Sequence, residues 1–176
     1  FHWVQDVYPE LPERLLGWRG LGCIRAWRNR EWRLAAGVAV LGRDMGALVR
    51  AAGVDAARIH SMPNWAPRGL TPATAARIER RRQKWELQGR FVIAYSGNFG
   101  RVHALEPIIE VATLLRDDPG CVFLLVGNGA QEDRLRALVR ARRLPNVRFE
   151  PTQPRDDLAV TLGVGDVHFV TLHERC

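Results

Sequence analysis

Hydrophobic and polar positions follow two rhythms along this chain. From Gly89 onward, short runs that are apolar throughout alternate with stretches of helical period. Phe91-Val92-Ile93-Ala94-Tyr95, Cys121 to Val126, Val147-Arg148-Phe149 and Asp166 to Leu172 read as strands. Helices are expected from about Ala104 to Arg116, from the Gly127-Asn128-Gly129 turn to about Arg142, and from Asp156 to Leu162. Strands without an alternating polar face belong to sheets covered on both sides. Strict strand–helix alternation implies right-handed crossovers, so the expected class is α/β with a parallel, doubly wound sheet.

Residues 1–64 alternate in the same way but more weakly. His2-Trp3-Val4 ends a strand, and Tyr8-Pro9-Glu10 marks a turn. A helix from about Leu21 to Ala36 places Leu21, Ile24, Trp27 and Leu34 on one side and Arg25, Asn29 and Arg33 on the other. Val38 to Leu41 is a short buried strand, Asp44 to Ala52 a helix closed by Gly53, and Ile59 to Met62 a strand ended by Pro63. Pro63, Pro67, Gly69 and Pro72 then punctuate a segment without periodicity, which reads as a linker. Thr71 is expected to cap the next helix, with Pro72 in its first turn. The resulting division is 1–64, a linker and connecting helix at 65–88, and the doubly wound unit at 89–176.

Composition narrows the picture. The chain has 176 residues, 47% of them hydrophobic, enough for a packed core. No run approaches the roughly 18 apolar residues of a membrane-spanning helix. It begins at Phe1 and ends at Cys176 directly after an expected strand, which reads as an interior piece of a longer protein. Cys23, Cys121 and Cys176 are distant and odd in number, against a disulfide framework or a zinc site and in favour of a reducing, cytoplasmic setting. The net charge of +7 suits anionic partners, yet Lys84 is the sole lysine and the excess reads first as compositional bias toward arginine. Arg77, Arg80, Arg81, Arg82 and Lys84 share one helix and read as a solvated basic face.

Chemistry is expected where the strands end. Ligands of such sheets lie beyond the carboxyl ends of the strands. Two glycine turns stand there: Ser96-Gly97-Asn98-Phe99-Gly100 and Gly127-Asn128-Gly129. Glycines admit a phosphate close to backbone N–H groups, and the following helix offers its positive end. Arg101, read as standing at that helix start, can fork two phosphate oxygens, and His103 can add a hydrogen bond. The chain lacks a P-loop, the first turn is GxxG and not GxGxxG, and no acidic residue closes the second strand, so an NAD site is unsupported. His168 and His173 are read as facing opposite sides and not as sharing a metal.

The run Tyr95-Ser96-Gly97-Asn98-Phe99-Gly100-Arg101-Val102-His103 resembles the donor-site turn of retaining GT-B glycosyltransferases of family four. It looks most like bacterial exopolysaccharide and lipopolysaccharide members, the fucosyltransferase-like enzymes among them. Phe123 to Gly129, Asn146 to Phe149 with Gln153-Pro154, Gly165 to Val170, Pro63-Asn64-Trp65 and Trp3 to Asp6 with Tyr8-Pro9-Glu10 resemble further elements of that family in order. The resemblance implies two Rossmann-like domains, the first incomplete here: residues 1–64 would be the end of an acceptor-side domain, and 89–176 a truncated donor-binding domain. It implies that a UDP- or GDP-linked sugar binds at Gly97, Asn98, Gly100, Arg101, His103, Gly127 and Gly129, with Thr152 and Gln153 facing the base. The sugar would pass, with retention, to a lipid-linked or polysaccharide acceptor, with no cofactor and no essential metal. Relatives carry a lysine where this chain has Glu106 and Pro107, and His103 is read as a partial substitute. The acidic donor-sugar motif of the family is expected beyond Cys176, with Glu174 read as too early for it. The chain by itself is therefore not expected to be catalytically competent.

Trp18, Trp27 and Trp32 among arginines suit an anionic membrane surface, and equally an ordinary helix packing its tryptophans on the first sheet. A sugar-nucleotide epimerase of the same fold and a basic nucleic-acid-binding domain stand as alternatives. The scattered arginines and the absence of an aromatic–basic strand speak against the latter.

Overall fold

The computed structural model describes residues 1–66 and 70–173. Pro67, Gly69, Glu174 and Cys176 lie outside them. The described residues divide into two compact units, one ending and the other beginning between Trp65 and Leu70.

The first unit holds strands β1 (His2–Val4), β2 (Val38–Val40) and β3 (Ile59–Ser61), all parallel in the order β1-β2-β3. Helices α1 (Glu10–Leu16), α2 (Gly22–Leu34) and α3 (Arg43–Ala51) connect them. Val4, Val38, Val40, Val49 and Val54 form its core with Trp32. The β-branched residues suit the short pleated strands.

Two expectations are corrected here. Helix α1 stands where only a turn is read, because Pro9 and Pro12 disguise it; proline is tolerated in a first helical turn, whose N–H groups have no helical partner. The side of α2 carrying Ile24, Trp27 and Leu34 is exposed, while Trp32 is buried. The arginines decide this. Arg25 and Arg28 pair with Glu10 and Glu13 of α1, and the Arg28 guanidinium lies 4.2 Å from the Trp32 ring centroid.

The second unit holds β4 (Phe91–Ser96), β5 (Cys121–Val126), β6 (Val147–Glu150) and β7 (Val167–His168). The order is β6-β5-β4-β7 and all pairs are parallel, as the apolar runs predict. The chain order reverses between β4 and β7, the switch point at which doubly wound sheets open a crevice. Helices α4 (Ala75–Lys84), α5 (Glu106–Leu114), α6 (Glu132–Ala141) and α7 (Leu158–Gly163) complete the unit. All six residues of β5 are buried, with one cluster around Phe99, Phe123 and Leu125 and another around Val92, Leu124 and Trp85. Each large apolar side chain so buried contributes about 1.5–3 kcal/mol.

Three boundaries differ from expectation. Helix α4 begins at Ala75, with the extended Thr74 and not Thr71 as its N-cap, so Pro72 lies ahead of the helix and not in its first turn. Helix α5 begins at Glu106, with Pro107 in its first turn, so Arg101 lies in the preceding turn and not at the helix start. Strand β7 pairs over two residues only, Val167 and His168 with Ile93 and Ala94, and Val170 and Leu172 beyond it are exposed. Asp166 anchors this edge. Its carboxylate accepts the Val92 N–H at 2.7 Å and faces the Arg82 guanidinium, which also donates to the Val164 and Arg90 carbonyls.

Candidate functional site

Parallel strands end on one side of a sheet, so the segments after β4, β5 and β6 meet there. The first two are laced together. The Gly97 N–H donates to the Val126 carbonyl at 3.0 Å, Phe99 N–H to Asn128 at 2.8 Å, and Gln131 N–H to Phe99 at 3.0 Å. The Tyr95 hydroxyl closes the first turn on the Asn98 carbonyl at 2.9 Å, and burial holds that phenol above the usual tyrosine range. Phe99 is fully buried beneath the turn, against Tyr95 and edge-on to Phe149.

This lacing explains the second pair of glycines. A Cβ at Gly127 would stand 1.9 Å from the Gly97 carbonyl oxygen, and one at Gly129 would stand 2.7 Å from the Phe99 carbonyl carbon. Both residues also have left-handed φ values, 143° and 151°. The two turns touch backbone to backbone, which only glycine permits. The Gly97 N–H is committed to Val126, so Gly97 shapes a wall and does not offer a free amide there.

Two clefts flank the laced turns. One, of about 360 Å³, runs between Ser96–Asn98 and Val126–Asn128 on one side and the loop Thr152–Arg155 on the other, floored by Leu158 and Thr161. It brings together Gly97, Asn98, Gly127, Thr152 and Gln153. The second, of about 500 Å³, is lined by the segments that follow β4, β5 and β7 and takes in Arg101, His103, Glu106, Gln131, Arg134 and His173. Gly100 and Gly129 sit in the turns and line neither of these two clefts.

The second cleft carries the charge. Arg101 is exposed and makes no ion pair among the described residues. The nearby acid, Glu106, is taken by Arg134 at 2.8 Å. His103 places Nδ1 2.9 Å from the Thr171 carbonyl. A carbonyl only accepts, so Nδ1 carries the hydrogen; a neutral ring then keeps a lone pair on Nε2, and a protonated ring holds a second donor there.

Two side chains that frame the site have no motif to mark them. Gln131 is buried, and its amide donates to the carbonyls of Gly100 and His103 at 2.6 and 2.9 Å, fixing the turn that carries Arg101. Arg81, from α4, donates to Gln153 Oε1 at 3.0 Å. A polar residue at a helix start and an arginine in a basic run give no sequence signal of partners 28 to 72 residues away. Glu150, at the end of β6, lends its backbone carbonyl to the Gly127 N–H, and burial raises its carboxyl above the ordinary range against the pull of Arg148, Lys84 and Arg81.

Residues 77–173 match the family model described as Glycosyl transferases group 1. Over 135 residues, 76% of this chain and 33% of the relative, the sequence is 35% identical to WcaI of Escherichia coli (strain K12), described as a colanic acid biosynthesis glycosyl transferase. It is 26% identical to WbjE of Pseudomonas aeruginosa, described as a glycosyltransferase, over 99% of this chain and 45% of that one. Among solved structures, Anabaena Alr3699/HepE in complex with UDP-glucose superposes with a TM-score of 0.74 at 19% identity, over 94% of this chain and 44% of that chain. The chain thus spans a third to a half of the length of the relatives it matches.

Proposed function

The chain belongs to the glycosyl transferases group 1, and from that premise we propose that its second unit is the donor-binding part of a bacterial cell-surface polysaccharide glycosyltransferase. A nucleotide-diphospho-sugar lies across the laced turns, its base in the cleft walled by Thr152 and Gln153 and its diphosphate toward Arg101 and His103. One observation carries this reading. The only guanidinium lining the second cleft without an ion pair among the described residues, that of Arg101, follows directly on the glycine turn that walls the first. HepE, of the same fold, is known in complex with UDP-glucose, which supports a uridine or other nucleoside diphosphate here. In this reading Arg101, with His103 beside it, offsets the charge that develops on the leaving diphosphate, transfer proceeds with retention, and no metal is needed. Residues 1–64 belong to the acceptor-side domain, and 65–88 lead into the donor domain, with α4 packed on the donor sheet. The Tyr95–His103 run supports placing the enzyme in the fucosyltransferase-like subgroup.

Nucleotide binding is tested by thermal denaturation of the full-length enzyme. UDP or GDP at a hundred times its Kd stabilises the native state by about 2.7 kcal/mol, a rise of several degrees in a domain of this size. A single-stranded oligonucleotide at equal phosphate concentration is expected to give no rise. A rise with the oligonucleotide and none with either nucleotide would reverse the assignment.

The acceptor is proposed to be lipid-linked or saccharide, with the first unit meeting an anionic membrane at the cytoplasmic face. Trp18 and Trp27 are exposed beside arginines, as headgroup-level indoles require, and no described helix is long and apolar enough to cross a membrane. Trp32 is excluded from this role by its burial. Changing Trp18 and Trp27 together to Ser should release the full-length enzyme from phosphatidylglycerol vesicles in a sedimentation assay without lowering Tm. Undiminished sedimentation would remove the membrane contact from Trp18 and Trp27.

A further inference from the structure

The loop Thr152–Arg155 forms a whole wall of the smaller cleft, yet Thr152, Pro154 and Arg155 are exposed. Its position is fixed from outside the loop. Gln153 uses both ends of its amide, Nε2 donating to the Pro151 carbonyl at 2.7 Å and Oε1 accepting from Arg81 at 3.0 Å. The second terminal guanidinium nitrogen of Arg81 donates to Asp157 Oδ2 at 2.8 Å, two residues beyond the loop. Arg77 takes Asp157 Oδ1 at 3.1 Å, which holds the carboxylate in place. Arg81 is itself immobilised. Its side chain is 13% exposed and its guanidinium lies 4.9 Å from the centroid of the buried Trp85 ring. One planar fork therefore ties the second residue of the loop to the short turn that follows it, a geometry that a point charge such as lysine cannot reproduce.

We infer that Arg81 is a positioning residue for the nucleobase: from α4 it sets the wall against which the base packs, and Gln153 acts as the strut between them and not as a direct contact. This rests on the reading of the cleft as a nucleotide site. Arg81 bonds to Gln153 and Asp157 and does not line the cleft that holds Arg101, so its effect falls on the base and spares the diphosphate.

The test uses the full-length enzyme, with UDP, GDP and inorganic pyrophosphate titrated calorimetrically against the wild type, Arg81→Gln, Arg81→Lys and Gln153→Ala. Arg81→Gln should weaken whichever nucleotide the wild type binds by about tenfold, the scale of one lost charge-assisted hydrogen bond, and leave pyrophosphate affinity within about twofold. Arg81→Lys should recover only part of the loss. Gln153→Ala should reproduce it, and the double substitution should add little, since both remove one strut. If Arg81→Gln does not fold, Gln153→Ala alone must show the same selective loss. Equal loss for nucleotide and pyrophosphate, or a lower Tm with nucleotide affinity unchanged, would overturn the inference and leave the cleft assignment standing. No nucleotide binding by the wild type would overturn both.

Discussion

Arg101→Ala in the full-length enzyme should lower turnover by about a hundredfold or more, the scale seen when one preorganised charge-stabilising donor is removed. It should also weaken nucleoside-diphosphate binding by about 1.5–3 kcal/mol. The asymmetry follows from when the charge appears. A diphosphate bound in the ground state is already anionic, but breaking the sugar–oxygen bond adds charge to the leaving group, so the guanidinium contributes more in the transition state. Little stability should be lost, because Arg101 is exposed and has no ion pair among the described residues. The obvious local rival, a pairing with Glu106, is already filled by Arg134. Arg101→Lys should restore part of the activity, as charge survives and the fork does not. Tm and nucleotide affinity measured on the same variant decide the matter: a fallen Tm with affinity intact would make Arg101 a structural residue and end its assignment to the donor.

Gly127→Ala is the second large effect, and it acts through the fold. The new methyl would stand 1.9 Å from a backbone oxygen, at a φ of 143° that L residues avoid. A flexible side chain could swing aside; the Gly97 carbonyl cannot without unlacing the two turns. A loss of about 3–5 kcal/mol, in the upper range for single substitutions, is expected, with nucleotide binding abolished in whatever fraction folds. Gly89 supplies the control. Its φ is 66° and a Cβ there would meet nothing within 4 Å, so Gly89→Ala should cost only the backbone term, about 1–2 kcal/mol. Urea denaturation of both variants separates the terms. Equal losses would show that conformation alone, and not the approach of the turns, requires glycine at 127.

What the sequence revealed, and what it concealed, follows from the range of the interactions involved. Strands β4 and β5 are legible because each is apolar at nearly every position, a pattern that only a doubly covered sheet can bury. The glycine turns are legible because turn chemistry is local. Their reason is not: Gly127 is dictated by the Gly97 carbonyl, thirty positions earlier, so a phosphate and a packed backbone leave the same letters. Helix α1 is hidden by two prolines that suit a turn equally well. The apolar stripe of α2 misleads because ion pairs to Glu10 and Glu13, on a helix the pattern does not announce, select the face that turns inward. Strand β7 is overextended by its composition, since an apolar run does not say how many of its residues find a neighbouring strand. Arg81 and Gln131, which frame the site, look like any surface arginine and any helix-start glutamine until the chain is folded.

Helix α4 has a practical bearing on recombination. Domain exchange between related sugar-transferring enzymes is an obvious route to new donor preferences, and a junction just ahead of Phe91, where the apolar strands begin, is the natural choice from sequence. Such a cut would graft a foreign α4 onto this sheet. Arg77 and Arg81 would be lost to Asp157 and Gln153, and Arg82 to the Val164 carbonyl and Asp166. A crossover ahead of Ala75 keeps the helix with the strands it serves, so the inherited module begins some sixteen residues before the first strand of its sheet.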